Sequence, residues 1–327
     1  MAFAYRKLDA DNRSVSALNF SPDKSAFCVQ KFVLGTHTSS NEPNFLMIMK
    51  TRLPNEGFSS DVKDTAHQAY AKMENNRIEL ETKICHQGEV NRARIMPQKY
   101  NIIATKTPSG EVHIFDYFKH GPKPTDNTPR PDMRLLGHTK EGYGLNWNIQ
   151  KEGYLLSGSD DQKVCLWDIN QNNTTLNPVK IFDEHKAVVE DVCWHRFDPN
   201  RFATCGDDRK LILWDLNQEK PTHNIEAHSQ EINSVEFNPF NEFLIISSSN
   251  DKTIALWDIR NLTTKIHVFE HHRNDVLAAR WNPNIESVFA SYSSDRRVNV
   301  WDISRMGKQQ SLVDAEDGPV ELLVRKI

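Results

Sequence analysis

At 327 residues, with 38% apolar and 26% charged side chains, the chain has enough apolar residues for the core of one large domain or two ordinary ones. Its net charge of −4 argues against a protein that coats nucleic acid, and we expect no sequence-specific contact with DNA or RNA. It has no run of about 18 apolar residues and no apolar secretion signal after Met1, so we expect an intracellular protein that stays out of membranes.

The cysteine pattern favours buried, reduced thiols over disulfides or a zinc site. The five cysteines are odd in number and form no Cys-x-x-Cys pair. They are Cys28, Cys85, Cys165, Cys193 and Cys205. The chain also has no glycine-rich phosphate-binding loop and no nucleophile motif. We therefore predict no metal, no cofactor and no enzymatic activity.

The N-terminal part predicts a sheet preceded by a short irregular segment. Residues 1–13 are polar and carry no predicted element, so we expect the folded domain to span 14–327. Three strand-like runs follow, at 15–20, 27–34 and 45–50, separated by turns rich in Ser, Pro and Asn. Residues 55–76 are polar and predict a mobile surface insertion, and 77–84 predict an outer strand.

The next stretch begins a repeat. His86 lies 29 residues before Phe115, which is followed by Asp116, and Thr105 lies ten residues before Phe115. Ser109 stands six residues before Phe115, where later copies carry aspartate. The span 118–132 is rich in Pro and Lys and predicts an exposed connector.

Four clearer copies of the repeat follow between 137 and 302. Each opens with a histidine and ends on Trp-Asp, with 29 residues from His to Trp, and an aspartate stands six residues before each Trp. The His, Asp and Trp sets are His138, Asp161 and Trp167; His185, Asp208 and Trp214; His228, Asp251 and Trp257; and His272, Asp295 and Trp301. Ten residues before each Trp stands a hydroxyl residue: Ser157, Thr204, Ser247 and Ser291.

This repeat predicts a β-propeller. Its spacing of about 43 to 47 residues, with short alternating runs and tight turns, is typical of four-stranded blades that bury their faces by stacking. Buried polar groups need partners, so we predict that His, Ser/Thr, Asp and Trp form a hydrogen-bonded chain inside each blade. We interpret these residues as structural, because catalysis would not require the same set four times.

The end of the chain predicts one more outer strand. After Asp302 comes an acidic turn containing Asp314, Glu316, Asp317 and Gly318, followed by Leu322, Leu323 and Val324. With the N-terminal sheet and five marked repeats, we predict an all-β, WD-repeat propeller with six recognisable blades.

Carboxylates recur just after the histidines. Three residues after the histidine stand Glu89, Glu141, Glu231 and Asp275, with Val188 as the exception. Five residues after it stand Asn91, Tyr143, Glu190, Asn233 and Leu277. In a propeller this segment faces the mouth of the central channel, so the acids are expected to gather on one rim and to bind Lys or Arg of a basic peptide. The alternative is that these acids only solvate surface loops.

Several stretches resemble one family of WD-repeat proteins. They are residues 86–94, 138–145, 187–192 and 314–318. They are similar to the retinoblastoma-binding, histone-binding family, which supplies the small subunit of chromatin assembly factor and of several histone-modifying complexes. The resemblance runs from about Phe32 to Leu323. The family has a long N-terminal helix and a seventh blade, for which Met1–Arg13 and the four residues after Leu323 offer no counterpart.

The resemblance implies a nuclear, histone-binding scaffold. In the family the channel mouth binds basic N-terminal tails, of histone three or of corepressor-recruiting proteins. The matching positions are Glu89, Asn91, Arg92, Glu141, Tyr143 and Glu190, to which the repeat adds Glu231, Asn233 and Asp275. A side groove binds the first helix of histone four, and its acidic loop matches Asp314, Glu316, Asp317 and Gly318. Other subunits of chromatin complexes are the further partners implied.

Two other hypotheses remain open at this stage. One is a general WD-repeat adaptor, such as the substrate receptor of a ubiquitin ligase. The other is a truncated paralogue that does not bind histones. Binding that does not depend on Lys and Arg in the ligand would favour either of them over the histone scaffold.

Overall fold

Alternating apolar and polar residues fold into short antiparallel strands in a computed structural model, which describes residues 27–38, 42–54, 78–171, 173–310 and 318–326. In these residues the only helical segments are two 3₁₀ turns, Tyr117–Lys119 and Ile303–Arg305, and no helix is long and apolar enough to span a bilayer. The chain divides into two compact units, residues 1–136 with 172–177 and residues 137–171 with 178–327.

The first unit contains two sheets. Sheet one has the strand order β1-β2-β3, with β1 Phe27–Gly35, β2 Asn44–Pro54 and β3 Ile78–His86. Sheet two contains β4 Arg92–Ile95, β5 Ile102–Lys106, β6 Val112–Asp116, β7 Met133–Leu135 and β11 Thr175–Leu176. The predicted strands at 27–34, 45–50 and 77–84 are confirmed. The predictions for 1–13, 15–20 and 55–76 lie outside the described residues.

The fifth strand of sheet two was not predicted. β11 joins β7 in parallel and closes the sheet order β11-β7-β6-β5-β4. The backbone N–H of Arg134 donates to the carbonyl of Thr174, and that of Leu136 to Leu176, both at 2.8 Å. A two-residue strand has no periodicity of its own, so its sequence gives no signal.

The predicted connector at 118–132 is mostly exposed, yet it is attached to sheet one at its edge. The N–H of Lys83 donates to the carbonyl of Pro122 at 3.1 Å, and the thiol of Cys85 donates to the carbonyl of Asp126 at 3.1 Å. The connector thereby covers part of the β3 edge, which otherwise has unpaired backbone groups.

The second unit contains four sheets of four strands. Sheet three consists of β8 Leu145–Trp147, β9 Tyr154–Gly158, β10 Val164–Asp168 and β12 Lys180–Phe182. Sheet four consists of β13 Val189–Trp194, β14 Arg201–Gly206, β15 Lys210–Asp215 and β16 His223–Glu226. Sheet five consists of β17 Ile232–Phe237, β18 Leu244–Ser249, β19 Thr253–Asp258 and β20 His267–Glu270. Sheet six consists of β21 Val276–Trp281, β22 Val288–Ser293, β23 Val298–Asp302 and β24 Leu322–Lys326.

Six sheets and a last outer strand were predicted, and both are confirmed. β24 pairs with β23 at the edge of sheet six, where the final strand was expected. The central strands of each sheet carry the Ser/Thr and Trp-Asp positions of the repeat, as in β14 and β15.

Neighbouring sheets of the second unit pack through apolar and aromatic side chains. Phe182 of sheet three lies against Phe202 and Trp214 of sheet four, with ring centroids 5.0 Å apart in each pair. Phe202 and Trp214 stack on each other at 5.8 Å. All three side chains are buried, so each interface removes several large rings from water.

A hydrogen bond between neighbouring sheets recurs at one repeat position. Ten residues after their histidines, Asn148, His195 and Asn238 each donate from the side chain to a carbonyl of the following sheet. The acceptors are Pro199 at 3.0 Å, Glu242 at 2.9 Å and Glu286 at 3.0 Å, each fourteen residues after the next histidine. Each repeat therefore uses one donor toward the next sheet and one acceptor toward the previous one.

The hairpin turn after each repeat aspartate has a fixed conformation. The residue that follows the aspartate has a positive φ in all four clear copies: Gln162 at 70°, Arg209 at 63°, Lys252 at 73° and Arg296 at 66°. In the copy that begins at His86, the same position is Gly110, with φ 92°. Glycine adopts this conformation without the steric cost that other residues meet.

Candidate functional site

The histidine of each repeat is fixed by a hydrogen-bonded chain through the sheet. In sheet four, Trp214 Nε1 donates to Thr204 Oγ1 at 2.9 Å, Thr204 Oγ1 lies 2.8 Å from His185 Nε2, and His185 Nδ1 lies 2.9 Å from Asp208 Oδ2. Because the indole N–H takes one lone pair of the hydroxyl oxygen, the hydroxyl donates to Nε2 and the Nδ1–H donates to the carboxylate. Sheets five and six repeat this chain with Trp257, Ser247, His228 and Asp251, and with Trp301, Ser291, His272 and Asp295.

The same aspartates hold the loop that follows the histidine, which we call the entry loop: residues 138–144, 185–188, 228–231 and 272–275. The backbone N–H of the residue after the histidine donates to the aspartate, at 2.9 Å for Thr139 to Asp161 and 3.0 Å for Lys186 to Asp208. Burial disfavours ionisation of Asp161, but His138 and the N–H groups of Thr139 and Lys163 outweigh burial and hold the pKa at about 2. An ionised aspartate therefore anchors each entry loop.

In the copy that begins at His86 the anchor is different. Ser109 replaces the aspartate, and His86 Nδ1 instead donates to the carbonyl of Gly88 at 3.0 Å, while Nε2 accepts from Thr105 Oγ1 at 2.9 Å. Without a carboxylate partner, burial lowers the pKa of His86 to about 4. This histidine is neutral at pH 7.

A second backbone bond fixes the position three residues after each histidine. The carbonyls of Glu141, Val188, Glu231 and Asp275 accept from the N–H groups of Asp160, Asp207, Asn250 and Ser294, at 2.9 to 3.0 Å. The entry loops therefore lie against the hairpin turns between the second and third strands of their sheets. Glu141, Glu231 and Asp275 occupy equivalent places in three sheets.

The hairpin turns add carboxylates that the repeat analysis did not single out. Burial raises the pKa of Asp207, and the charges of Glu231, Asp160 and Asp208 raise it further. Asp207 lies beside β14 in sheet four, whereas Glu231 precedes β17 in sheet five, so acids of two neighbouring sheets repel each other. We call the half-buried set Glu141, Asp160, Glu190, Asp207, Glu231 and Asp275 the acidic face. The sequence signal for the added pair was the doubled aspartate at 160–161 and 207–208.

The positions five residues after the histidines have different surroundings. Asn233 Nδ2 donates to Asn250 Oδ1 at 2.7 Å and to the carbonyl of Val276 at 2.9 Å, so this side chain joins sheets five and six. Glu190 is half-buried, and its charge contributes, after burial and Asp191, to the raised pKa of Cys205. Tyr143 is half-buried and Leu277 is exposed.

An arginine of the chain itself pairs with a carboxylate near this face. Asp191, one residue after Glu190 and 2% exposed, accepts from Arg280 Nη2 at 2.8 Å. The two residues are 89 positions apart, on β13 and β21, and the N–H of Val235 on β17 also donates to Asp191 at 3.4 Å. The pair therefore connects sheets four, five and six.

Three predicted site residues belong to the first unit. Glu89 forms an ion pair with His37, and the N–H of Asn91 donates to the carbonyl of Lys106 at 3.1 Å. Arg92 is buried at the start of β4, where it pairs across the sheet with Lys106, which is also buried. This position of the first unit carries two cations, in contrast to the carboxylates of the second.

Of the predicted acidic loop, Asp314, Glu316 and Asp317 lie outside the described residues. Gly318 has a φ of 143°, and its carbonyl accepts from Gln310 Nε2 at 3.0 Å.

Comparison with known proteins identifies the repeats. Residues 134–168, 176–215, 219–258 and 263–302 match the family model described as WD domain, G-beta repeat. Residues 14–55 match the model described as histone-binding protein RBBP4 or the C-type component of the CAF1 complex. Among solved structures, the chain is similar to the WD40 β-propeller domain of Doa1, with a TM-score of 0.61 and 18% identity, over 85% of this chain and 77% of that one. That likeness shows the β-propeller fold, and together with the two sequence matches it means that the chain belongs to the WD-repeat family of the RBBP4 type.

Proposed function

We propose that this protein is a non-catalytic, histone-binding scaffold that captures basic histone tails on the acidic face. The observation that carries the proposal is the raised pKa of Asp207, which reports carboxylates from two sheets held close enough to repel. Like charges crowded in this way lower their free energy when a cation binds between them. Lys and Arg side chains of an extended tail provide such cations.

The way in which the acids are held supports a binding surface. The repeat histidines and aspartates fix the entry loops, and the backbone bonds at 2.9 to 3.0 Å fix Glu141, Glu231 and Asp275 beside the hairpin turns. Carboxylates fixed in advance lose little conformational entropy when they bind. The Asp191–Arg280 pair is an internal example of the charge-assisted hydrogen bond expected with a tail.

The family match supports histones as the source of the basic peptide, since the model matched by 14–55 is named for a histone-binding protein. Tails of histone three and of corepressor-recruiting proteins are the ligands proposed for the acidic face with Glu89, Asn91, Arg92, Tyr143 and Asn233. The first helix of histone four is the ligand proposed for the loop of Asp314 to Gly318. Such a scaffold would act in the nucleus, within chromatin assembly, remodelling or histone-modifying complexes.

A scaffold role agrees with the chemistry of the repeats. Each repeat histidine hydrogen-bonds at both nitrogens within its sheet, so its ring is committed to the fold. Burial, with the charge of Glu236, raises the pKa of Cys193 to about 12, so this thiol stays protonated and is a poor nucleophile.

The test is a fluorescence-anisotropy titration of the full chain with a labelled histone-three tail peptide, at ionic strengths of about 0.01 and 0.15 M. The control peptide has Gln in place of every Lys and Arg. We expect saturable binding of the basic peptide that weakens as salt rises, because exposed charge pairs are screened over about 8 Å at 0.15 M. Equal binding of both peptides, or none by a folded sample, would contradict the proposal and favour a general WD-repeat adaptor.

A further inference from the structure

A cavity of about 200 Å³ opens between sheets four and five, at the ends of the strands opposite to the entry loops. Its floor is made of buried apolar side chains, including Phe202, Trp214, Phe237 and Ile259. Its mouth carries exposed polar groups, among them Arg201 and His223. For comparison, an apolar cavity of about 150 Å³ holds one benzene molecule. The cavity therefore has room for a single aromatic side chain.

Two exposed phenylalanines extend this apolar surface beyond the cavity. Phe197 is 46% exposed, and its ring lies 6.0 Å from that of His195, which also lines the cavity. Phe240 is 43% exposed and belongs to the turn whose Glu242 carbonyl accepts from His195 Nε2. Single exposed apolar residues are common, but two beside one apolar cavity mark a docking surface. One ring in the cavity would leave both uncovered, whereas a peptide would cover them.

The charge at the mouth selects the neighbours of that ring. Arg201 Nε lies 3.3 Å from Asp198 Oδ2 in a half-exposed pair, and the terminal nitrogens of Arg201 have no partner in the described part of the chain. A guanidinium with free donors binds a carboxylate in the bidentate geometry. The residue next to the buried ring is therefore expected to be acidic.

We propose that this cavity is a docking site for a peptide segment of another protein that presents an aromatic side chain next to a carboxylate. The aromatic ring enters between Phe237 and Trp214, the carboxylate pairs with Arg201, and the peptide passes over Phe197 and Phe240. This site lies at the other end of the sheets from the acidic face and selects the opposite charge. It is therefore independent of histone-tail binding.

The probe for the test is the capped peptide acetyl-Ser-Glu-Phe-Glu-Ser-amide, observed by saturation-transfer NMR with the full chain. One control peptide has Ala in place of Phe, and another has Gln in place of both Glu residues. Because the protein carries a net charge of −4, an acidic peptide gains nothing from general attraction to it. We expect binding about tenfold weaker without the ring and severalfold weaker without the carboxylates.

Protein variants locate the site. Arg201→Glu should weaken binding of the Phe peptide severalfold, and His223→Trp, which narrows the mouth at an exposed position, should abolish it. The matched control is Arg209→Glu: Arg209 is similarly exposed and paired with Glu226 at 3.0 Å, but it lies in the β14–β15 turn at the opposite end of the sheet. Thermal melts check that each variant is folded.

Three outcomes would overturn the proposal. They are equal binding of the Phe and Ala peptides, an equal effect of Arg201→Glu and Arg209→Glu, and binding of free phenylacetate as tight as that of the peptide. The last outcome would mean that the cavity takes a small aromatic acid rather than a protein segment.

Discussion

Asp207 and Asp208 are neighbours in the chain, yet their surroundings move their carboxyl pKa values in opposite directions. For Asp208, burial disfavours ionisation, but the hydrogen bond and charge of His185 and the N–H groups of Lys186 and Lys210 lower the pKa overall. For Asp207, burial and the charges of Glu231, Asp160 and Asp208 raise the pKa. One carboxylate stabilises the fold, and the other is available to a ligand.

Replacing each of these aspartates by asparagine should separate the two roles. Asp208→Asn puts an amide N–H₂ against donors that now share two carboxylate oxygens, and should lower the free energy of unfolding by about 1–3 kcal/mol. Asp207→Asn removes repulsion and should leave stability unchanged or slightly higher at pH 7. Urea unfolding of both variants measures the difference, and an equal loss in both would contradict it.

Mild acid should destabilise the protein through His86. Its pKa is about 4 when folded and about 6.5 when unfolded, so the unfolded chain binds the proton first. The contribution of His86 is complete above about pH 6.5, declines as the pH falls, and levels off below about pH 4, at a total of up to about 3 kcal/mol. The pKa of His272 is also lowered, by burial, and adds a loss of the same sign.

Urea unfolding between pH 7 and pH 4.5 measures this dependence. In His86→Gln the decline should be shallower than in the unchanged chain, because the neutral amide does not titrate. Parallel pH profiles for the two proteins would show that His86 is not responsible.

Gly206 should not tolerate a larger side chain. A Cβ at this position would lie 2.0 Å from the carbonyl oxygen of Val188, the oxygen that accepts from the N–H of Asp207 at 3.0 Å. Gly206→Ala must move the entry loop away, and we expect a loss of about 2 kcal/mol or more. Gly121→Ala is the control, since its Cβ would meet only the carbonyl of Lys123, at 3.6 Å. Chemical denaturation compares the two, and a stable Gly206→Ala protein would contradict the close approach.

Charge reversal on the acidic face should weaken binding of the histone-three tail without unfolding the protein. Glu141→Lys and Glu190→Lys each replace an attraction by a repulsion, and we expect a loss of about tenfold in affinity, larger at low salt. Glu219→Lys, an exposed position after β15 at the far end of sheet four, is the control and should bind normally. Anisotropy titrations measure the affinities, and unchanged binding by the first two variants would remove the tail site from this face.

The sheets could be predicted from the sequence because one set of hydrogen bonds recurs. The fixed spacing from His185 to Thr204, Asp208 and Trp214 reflects a single geometry, and that geometry also determines where the entry loops lie. The acids three residues after the histidines were found in this way. β11 could not be predicted, because its pairing depends on an edge of β7 that a distant segment happens to reach.

Other parts of the site depend on contacts that no local pattern records. Asp207 follows the repeat only as the neighbour of Asp208, and its importance comes from Glu231 in the next sheet. The pairing of Asp191 with Arg280 crosses 89 residues. The cavity beside Phe237 likewise arises only where two sheets meet.

The side-chain bonds from Asn148, His195 and Asn238 to the next sheet have an evolutionary consequence. Each repeat supplies its own donor and its own acceptor, so a tandem duplication would produce a copy that already fits both neighbours. Recombination within such a gene can therefore add or remove whole units without new compensating mutations, while the loops that carry charge or apolar side chains diverge separately. The histidine at 195 and the asparagines at 148 and 238 record that freedom, since either residue type can fill the same bonding role.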